Sequence, residues 1–330
     1  MTLKPDAPSG AAPASDVAVS VVIPTYNRST LLRRCLISLS DQDYPGDYEV
    51  IVVDDGSEDG TARVVADLEG QVRCPIRYFF QPNQGPAAAR NLGIAHVRGK
   101  VTAFIDDDHI ASSTWLSQIS RVPPDGTVVG LCGRNRSLPG RTRVARYCGI
   151  RGLHEAPPVK ENGAVQYLIT GNAAIRTEVL RAVGGFDVRF RAAFRGIAPG
   201  GEDTALNLSL QRQGFQVLFC PEAITGHHQK ESLRALLREN FNFGCNRILL
   251  YHTEGHPVSG FAACRRFLRS ALSVVAWPRP LPEFRRKGVG WTDSLAFCLI
   301  EKAAFLCFEA GLMAGTLTLR RRLAEGASGG

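Results

Sequence analysis

The chain has 330 residues, 44% hydrophobic and 21% charged, which excludes a disordered or fibrous chain and leaves one large domain, or one domain plus an extension. Its formal net charge of +8 suits phosphate-bearing ligands, an anionic membrane or nucleic acid, and does not choose among them. The nine cysteines are scattered without a Cys-x-x-Cys pair, which argues against a disulfide framework or a zinc site and for reduced cytoplasmic thiols.

Residues 1–16 are rich in Ala, Pro and Ser and lack the basic start and apolar run of a signal peptide; a disordered leader is expected. Residues 17–23 are apolar and β-branched up to Pro24, which predicts a buried strand. Residues 29–40 place Leu31, Leu32, Cys35, Leu36 and Leu39 at helical spacing. A strand at 49–53, a helix at 61–68, a strand at 76–80, an Ala-rich helix at 85–96 and a strand at 101–105 follow. Alternating strands and helices predict βαβ units and a parallel sheet covered on both faces. The second half is less regular: a strand at 128–132, extended segments at 164–170 and 172–176, and a helix at 177–183 ended by Gly184-Gly185. A helix at 203–212, a strand at 216–220, a helix at 233–250 and an apolar segment at 295–319 complete the reading. No stretch supplies the roughly 18 uninterrupted apolar residues of a membrane span.

In parallel sheets, ligands bind beyond the carboxyl ends of the strands. Thr25-Tyr26-Asn27-Arg28, Asp54-Asp55 and Asp106-Asp107-Asp108 each follow a strand directly, so they are expected to meet at one edge. Three adjacent carboxylates suit either a solvated turn or a hard divalent cation that carries a diphosphate. Asp54-Asp55 suits an Asx-turn, or a carboxylate that accepts from a base or ribose. Glu202 and Asp203 follow Gly200-Gly201 at a helix start, where acids are favoured by the helix dipole and where a carboxylate could also serve as a base. His227-His228 reads as a surface pair or, near Asp108, as a source of a metal ligand. Arg90 reads as a phosphate partner or as a solvent-facing helix residue.

Together these segments resemble the family 2 glycosyltransferases, which have the GT-A fold. The matching pieces occur in family order: VSVVIPTYNR, EVIVVDDGSEDGT, NQGPAAARNLGIAHVRGKVTAFIDDDH, TGNAAIRTEVLRAVGGFD and GGEDTALNLSLQRQGFQVLFCPEAITGHH. The resemblance implies an α/β fold with a Rossmann-like, mostly parallel central sheet and a helical C-terminal extension. It divides the chain into a leader (1–16), a catalytic domain (17–230, with a nucleotide-binding half at 17–110 and an acceptor-binding half at 111–230) and the extension (231–330). It implies metal-dependent, inverting transfer of one sugar from a nucleotide-sugar, preferably a UDP-sugar, to a hydroxyl acceptor, in cell-surface polysaccharide or glycolipid synthesis.

The same resemblance implies roles for individual residues. Pro24, Thr25, Tyr26, Arg28, Asp55, Arg90, Asp106 and Asp107 would bind the nucleotide-sugar. Asp108, Asp106 and His227 would hold Mg2+ or Mn2+. Asp203, with Glu202 beside it, would be the general base. His109 stands where many members have Asp and is expected to be solvated, as lone polar residues beside a site mostly are. The Gln-x-x-Arg-Trp motif and membrane spans of processive members are absent, which implies one sugar per encounter.

Beyond residue 231 the sequence leaves two readings. Arg265, Arg266 and Arg269 mix with Phe267, Leu268, Leu272, Val274 and Trp277, and segment 295–319 precedes Arg320-Arg321-Arg322. These helices either pack on the catalytic domain or at a dimer face, or they contact the inner membrane surface peripherally, close to a lipid-linked acceptor. The alternative function is a nucleotidyltransferase making a nucleotide-sugar, but IPTYNR lacks the glycines of a triphosphate loop. A nucleic-acid partner is not expected, because the basic clusters lie away from the acidic strand ends.

Overall fold

The computed structural model describes residues 17–192, 200–253, 259–273 and 281–327. The expected leader, and Val274 and Trp277 of the expected basic–aromatic patch, lie outside them. β1 (Val19–Thr25), α1 (Ser29–Ser40), β2 (Tyr48–Asp54), α2 (Thr61–Leu68), β3 (Ile76–Phe80), α3 (Pro86–His96) and β4 (Val101–Ile105) come first. β5 (His109–Ala111), α4 (Trp115–Ile119), β6 (Val128–Ser137), α5 (Arg143–Arg151), β7 (Asn172–Arg176), α6 (Thr177–Ala182), α7 (Arg189–Ala192), α8 (Glu202–Arg212) and β8 (Gln216–His227) follow. The chain then turns helical with α9 (Leu233–Thr253), α10 (Gly260–Ser273), α11 (Leu281–Arg286) and α12 (Trp291–Ala327).

The strands form one sheet in the order β3-β2-β1-β4-β7-β6-β8-β5. β1 to β4 are parallel, as their crossover helices require. Beyond β4 the sheet is mixed, and there the parallel expectation is corrected. β7 runs antiparallel to both β4 and β6, and β5 runs antiparallel to β8. Only residues 106–108 separate β4 from β5, too few for a crossover. Segment 164–170, expected to be extended, makes only the isolated bridges Val159↔Val165 and Ala164↔Leu218. β6 and β8 run past their apolar cores because they pair with each other from Arg134↔Ile224 to Ser137↔His227, which satisfies the backbone of residues that read as loop.

Pro24 was expected to end its strand, yet β1 continues to Thr25. The β1–β4 ladder stops at Val22↔Phe104, so at Pro24 only β2 remains as a neighbour and the missing N–H leaves no ladder bond open on that side. Strand order reverses between β1 and β4, so their ends diverge into a crevice there. Both faces of the sheet are covered. Leu32, Cys35, Leu36 and Leu39 of α1, at helical spacing, bury on one face with Val21, Ile23 and Trp115. Val22, Val53, Phe104, Ile175 and Leu180 bury on the other.

The C-terminal helices join this body through α5 and α9. Phe284, Phe297 and Tyr147 form a small aromatic core between α5, α11 and α12. α9 and α12 meet backbone to backbone. A Cβ on Gly244 would strike the Phe308 carbonyl oxygen, one on Gly311 would strike that of Phe241, and one on Gly315 would lie 3.0 Å from Cys245 Cα. Gly311-Leu-Met-Ala-Gly315 is a small-xxx-small stripe, which lets two helices approach this closely. Gly311→Leu should therefore force α9 off α12, lowering unfolding stability by about 1–3 kcal/mol in a urea titration. A wild-type midpoint would remove this close contact from the account.

Candidate active site

The ends of β1, β2 and β4 open on a cleft of about 600 Å³. All twelve residues singled out from the sequence line it. Two loops are stitched together to shape its floor. Asn27, at φ 51°, donates its backbone N–H to Ser57 Oγ (2.9 Å), while Glu58 N donates to Asn27 Oδ1 (2.8 Å) and Ser29 N donates to Asp59 Oδ2 (2.9 Å). Pro24, Thr25 and Tyr26 are thereby presented along one side, with the Tyr26 ring exposed.

Asp54 and Asp55 divide their work. Ser57 N and Tyr78 Oη, each at 2.7 Å, donate to Asp54, which makes the turn. Asp55 is buried and ties β2 to the start of α3: Gln81 Nε2 (2.6 Å) and Gln84 N (2.7 Å) donate to Oδ1, and Gly85 N (2.7 Å) donates to Oδ2. The Asx-turn reading thus describes Asp54, and most of the acceptor capacity of Asp55 is spent inside the protein.

The three carboxylates after β4 point in different directions. Asp107 turns inward and is 3% exposed. Thr25 Oγ1 and Arg28 Nη1 both donate to it at 2.9 Å, yet burial outweighs Arg28 and pushes its carboxyl up to about 6. Arg28 Nη1 also donates to Asp108 Oδ2 at 2.9 Å. Asp106 faces the other way, where Arg90 Nη2 donates to its Oδ1 at 2.8 Å. Buried Arg90 carries a second bond, from Nη1 to Glu202 Oε1 at 2.9 Å. The expected solvent-facing alternative for Arg90 is therefore excluded. Glu202 Oε2 is buried and has no partner.

His109, expected to be solvated, is 3% exposed. The cause is register. β5 and β8 pair His109 directly with His227, and cross-strand partners sit on one face. Their rings stack with centroids 4.5 Å apart at 15°. His109 Nδ1 lies 3.0 Å from Asp108 Oδ1, and His227 Nε2 lies 3.9 Å from the same oxygen. Burial first, then His109, lowers the His227 pKa to about 3, so its imidazole is neutral at pH 7, the form that ligates metals. Burial opposes the charge of Asp108, but the His109 hydrogen bond and nearby cations hold its carboxyl well below the usual range. With His227 neutral, Arg28 and the His109 hydrogen bond carry that effect. Asp108, His109 and His227 each offer one ligand atom, and these atoms lie within 4.8 Å of one another. His109 Nε2 is buried without a partner, and a Cβ on Gly171 would come within 2.9 Å of Asp106 Oδ2 and His109 Cε1. A carboxylate and two imidazoles, with an orphaned ring nitrogen and a cleared wall, fit Mn2+ or a similar divalent ion.

Asp203 is the second residue of α8, which Glu202 opens after Gly201, whose φ of 91° suits glycine. Its backbone neighbour Thr204 N donates to Asp203 Oδ1 at 2.7 Å. Removal from water inside the cleft, and then the Glu202 carboxylate, push its pKa up to about 7. His228 stands apart: its backbone N–H donates to the Asp108 carbonyl, and its Nε2 is buried without a partner.

The far wall was not foreseen. Lys230, Glu239 and Phe243, the last two on α9, line the cleft with His154 and Asn135. His154 adopts φ 63°, and its carbonyl accepts from Asn135 Nδ2 at 2.9 Å. No strand-end pattern marks these positions, so sequence periodicity offered no signal for them.

A sequence model of Glycosyl transferase family 2 matches residues 20–184. Glycosyltransferase AglE of Haloferax volcanii is 28% identical over 300 residues, covering 88% of this chain and 92% of that protein. The pre-mycofactocin glycosyltransferase of Mycobacterium tuberculosis is 33% identical over 247 residues, covering 73% of this chain and 48% of that protein, so the chain spans about half the length of this relative. Among solved structures, a mannosyltransferase from Pyrobaculum calidifontis in complex with GDP-Man and Mn2+ superposes with a TM-score of 0.55 at 21% identity, covering 92% of this chain and 90% of that one, which is a likeness of fold.

Arg90→Gln should leave Glu202 as a buried, uncompensated charge and Asp106 without its partner, and lower stability by about 3–5 kcal/mol in denaturant titration; a change within the scatter of a surface substitution would contradict the bridging role. The chain belongs to glycosyl transferase family 2 and is a glycosyltransferase with the GT-A architecture.

Proposed function

We propose that the chain moves one sugar from a nucleotide-sugar, in the first instance a UDP-sugar, to a hydroxyl of an acceptor, with inversion and with Mg2+ or Mn2+ bound. A GDP-sugar is the second reading, favoured by GDP-Man in the Pyrobaculum structure. The observation that carries the proposal is one cleft holding both an acidic cation corner and a carboxylate poised to take a proton. Residues 17–230 serve as the catalytic domain, and the extension from 231 completes the acceptor wall through α9.

Asp108, His109 and His227 would hold the cation, with Asp106 beside it; when bound, the cation offsets the charge of the nucleoside diphosphate. Pro24, Thr25 and Tyr26 bound the base pocket, and Asp55 holds the loop that faces it. Asp203 accepts the proton of the acceptor hydroxyl while that oxygen bonds to the anomeric carbon and the bond to the departing phosphate breaks. A carboxylate whose pKa lies near neutrality is suited to this because it is ionised at pH 7.5 yet still basic. Arg90 keeps Glu202, and with it the start of α8, fixed relative to Asp106. The acceptor reading is a glycan or lipid-linked glycan of the cell surface, handled at the cytoplasmic face.

Asp203→Asn should retain donor binding and lose about 10²–10⁴ in kcat, measured as release of the nucleoside diphosphate. In the wild type, kcat/KM should rise with pH and level off above about 7, because only the ionised carboxylate of Asp203 can take the proton. Near-wild-type turnover of Asp203→Asn would remove it as the base.

A further inference from the structure

The buried side of α12 is accounted for by α5, α9, α10 and α11, but the opposite side is apolar and open. Trp291 is 62% exposed, Leu299 69% and Leu317 50%. At 100° per residue, Leu295, Leu299, Leu306, Met313 and Leu317 fall within about 40° of arc, and all are exposed or partly exposed. From Leu295 to Leu317 this stripe is roughly 33 Å long at 1.5 Å per residue. A helix apolar on all sides is ordinarily covered on all sides. Among the described residues, no helix is long and apolar enough to cross a membrane.

The charges around the stripe point to its cover. At one end Arg285, Arg286 and Lys287 are exposed, with Lys287 Nζ 3.5 Å from Glu283 Oε1, and the Arg285 guanidinium sits 4.7 Å from the Trp291 ring centroid. At the other end Arg320 and Arg321 are exposed. Lys302 stands at the edge of the stripe. Among the described side chains of α12 the acids are turned away: Glu309 is buried, Asp293 pairs with Arg143 and Arg146 at 3.0 Å, and Glu301 meets Arg151 at 3.2 Å. An apolar stripe with cations at both ends, a Trp at one of them and no outward acid among the described side chains of α12 has the charge pattern of a helix lying in the plane of an anionic lipid surface. A second copy fits less well. An antiparallel two-fold pairing of α12 would set residues 285–287 of one copy against Arg320 and Arg321 of the other, like charges facing like.

We propose that the exposed face of α12, with the basic ends formed by residues 285–287 and 320–321, is a docking surface for an anionic phospholipid bilayer. The docking does not depend on the transferase chemistry. Its use rests on the proposed function: α9, clamped to α12 through Gly244, Gly311 and Gly315, carries Glu239 and Phe243 into the cleft, so a docked chain would present its acceptor wall close to the lipid.

Flotation of the full chain with vesicles, without nucleotide or metal, tests the proposal independently of catalysis. The wild type should float with phosphatidylcholine vesicles containing phosphatidylglycerol, float far less with phosphatidylcholine alone, and be released by salt. Leu295→Glu with Leu299→Glu should lower the partition roughly tenfold or more while keeping the wild-type thermal melt. Leu299→Ser, a milder change, serves if the double variant does not fold. Arg286→Glu should weaken only the salt-sensitive part. The proposal is overturned if the wild type does not float, if the apolar variants float as well as it does, or if sedimentation reveals a dimer that the apolar variants split.

Discussion

Carboxylates at the ends of parallel strands repel one another in a site that excludes much of the water. At about 4 Å and an effective dielectric constant near 20, each such contact amounts to about 4 kcal/mol. Arg28 and Arg90 counter this. Arg28 spans Asp107 and Asp108 on the side of β1, while Arg90 spans Asp106 and Glu202 across the cleft. Because Arg90 is buried, its position is fixed by these two partners and by Phe186, whose ring centroid lies 5.5 Å from the guanidinium. The start of α8, and with it Asp203, is thereby held in register with the end of β4. The chemistry proposed for the cleft depends on that registration.

The second constraint is the β5–β8 pairing. It places His227 opposite His109 and both beside Asp108, assembling the proposed cation site from residues as far apart in sequence as Asp108 and His227. Gly171 completes the site by leaving space where a Cβ would intrude. The proposed donor corner is therefore built from parallel strands, whereas the proposed cation corner is built from an antiparallel pair added beyond β7.

The first half of the fold was legible because its signals are local. The apolar spacing of α1, the β-branched strands and the acidic turns each announce themselves within a few residues, and right-handed crossovers bring the strand ends together. What escaped the sequence depends on pairing at long range. β5 is three residues long and looks like the tail of an acidic turn. Its pairing with β8 makes His109 a buried site residue rather than a solvated one. The polar continuations of β6 and β8 read as loop until each is seen to satisfy the other. Pro24 looked like a strand terminator because the local rule cannot know that β4 has already stopped. The role of α9 in the cleft was invisible for the same reason, although Gly311-Leu-Met-Ala-Gly315 carried a signal of close helix contact.

The central claim is that the Asp106–Asp108 turn is a cation bridge to a nucleoside diphosphate. Calorimetric titration of UDP, GDP and dTDP into wild type and Asp108→Ala, with Mn2+ or Mg2+ and with neither, tests it most directly. The account predicts that one nucleotide binds only with metal present, and about tenfold or more weaker in the variant. Absence of binding with either metal, together with a variant that differs only in melting temperature, would contradict it and leave the turn as a solvated acidic loop.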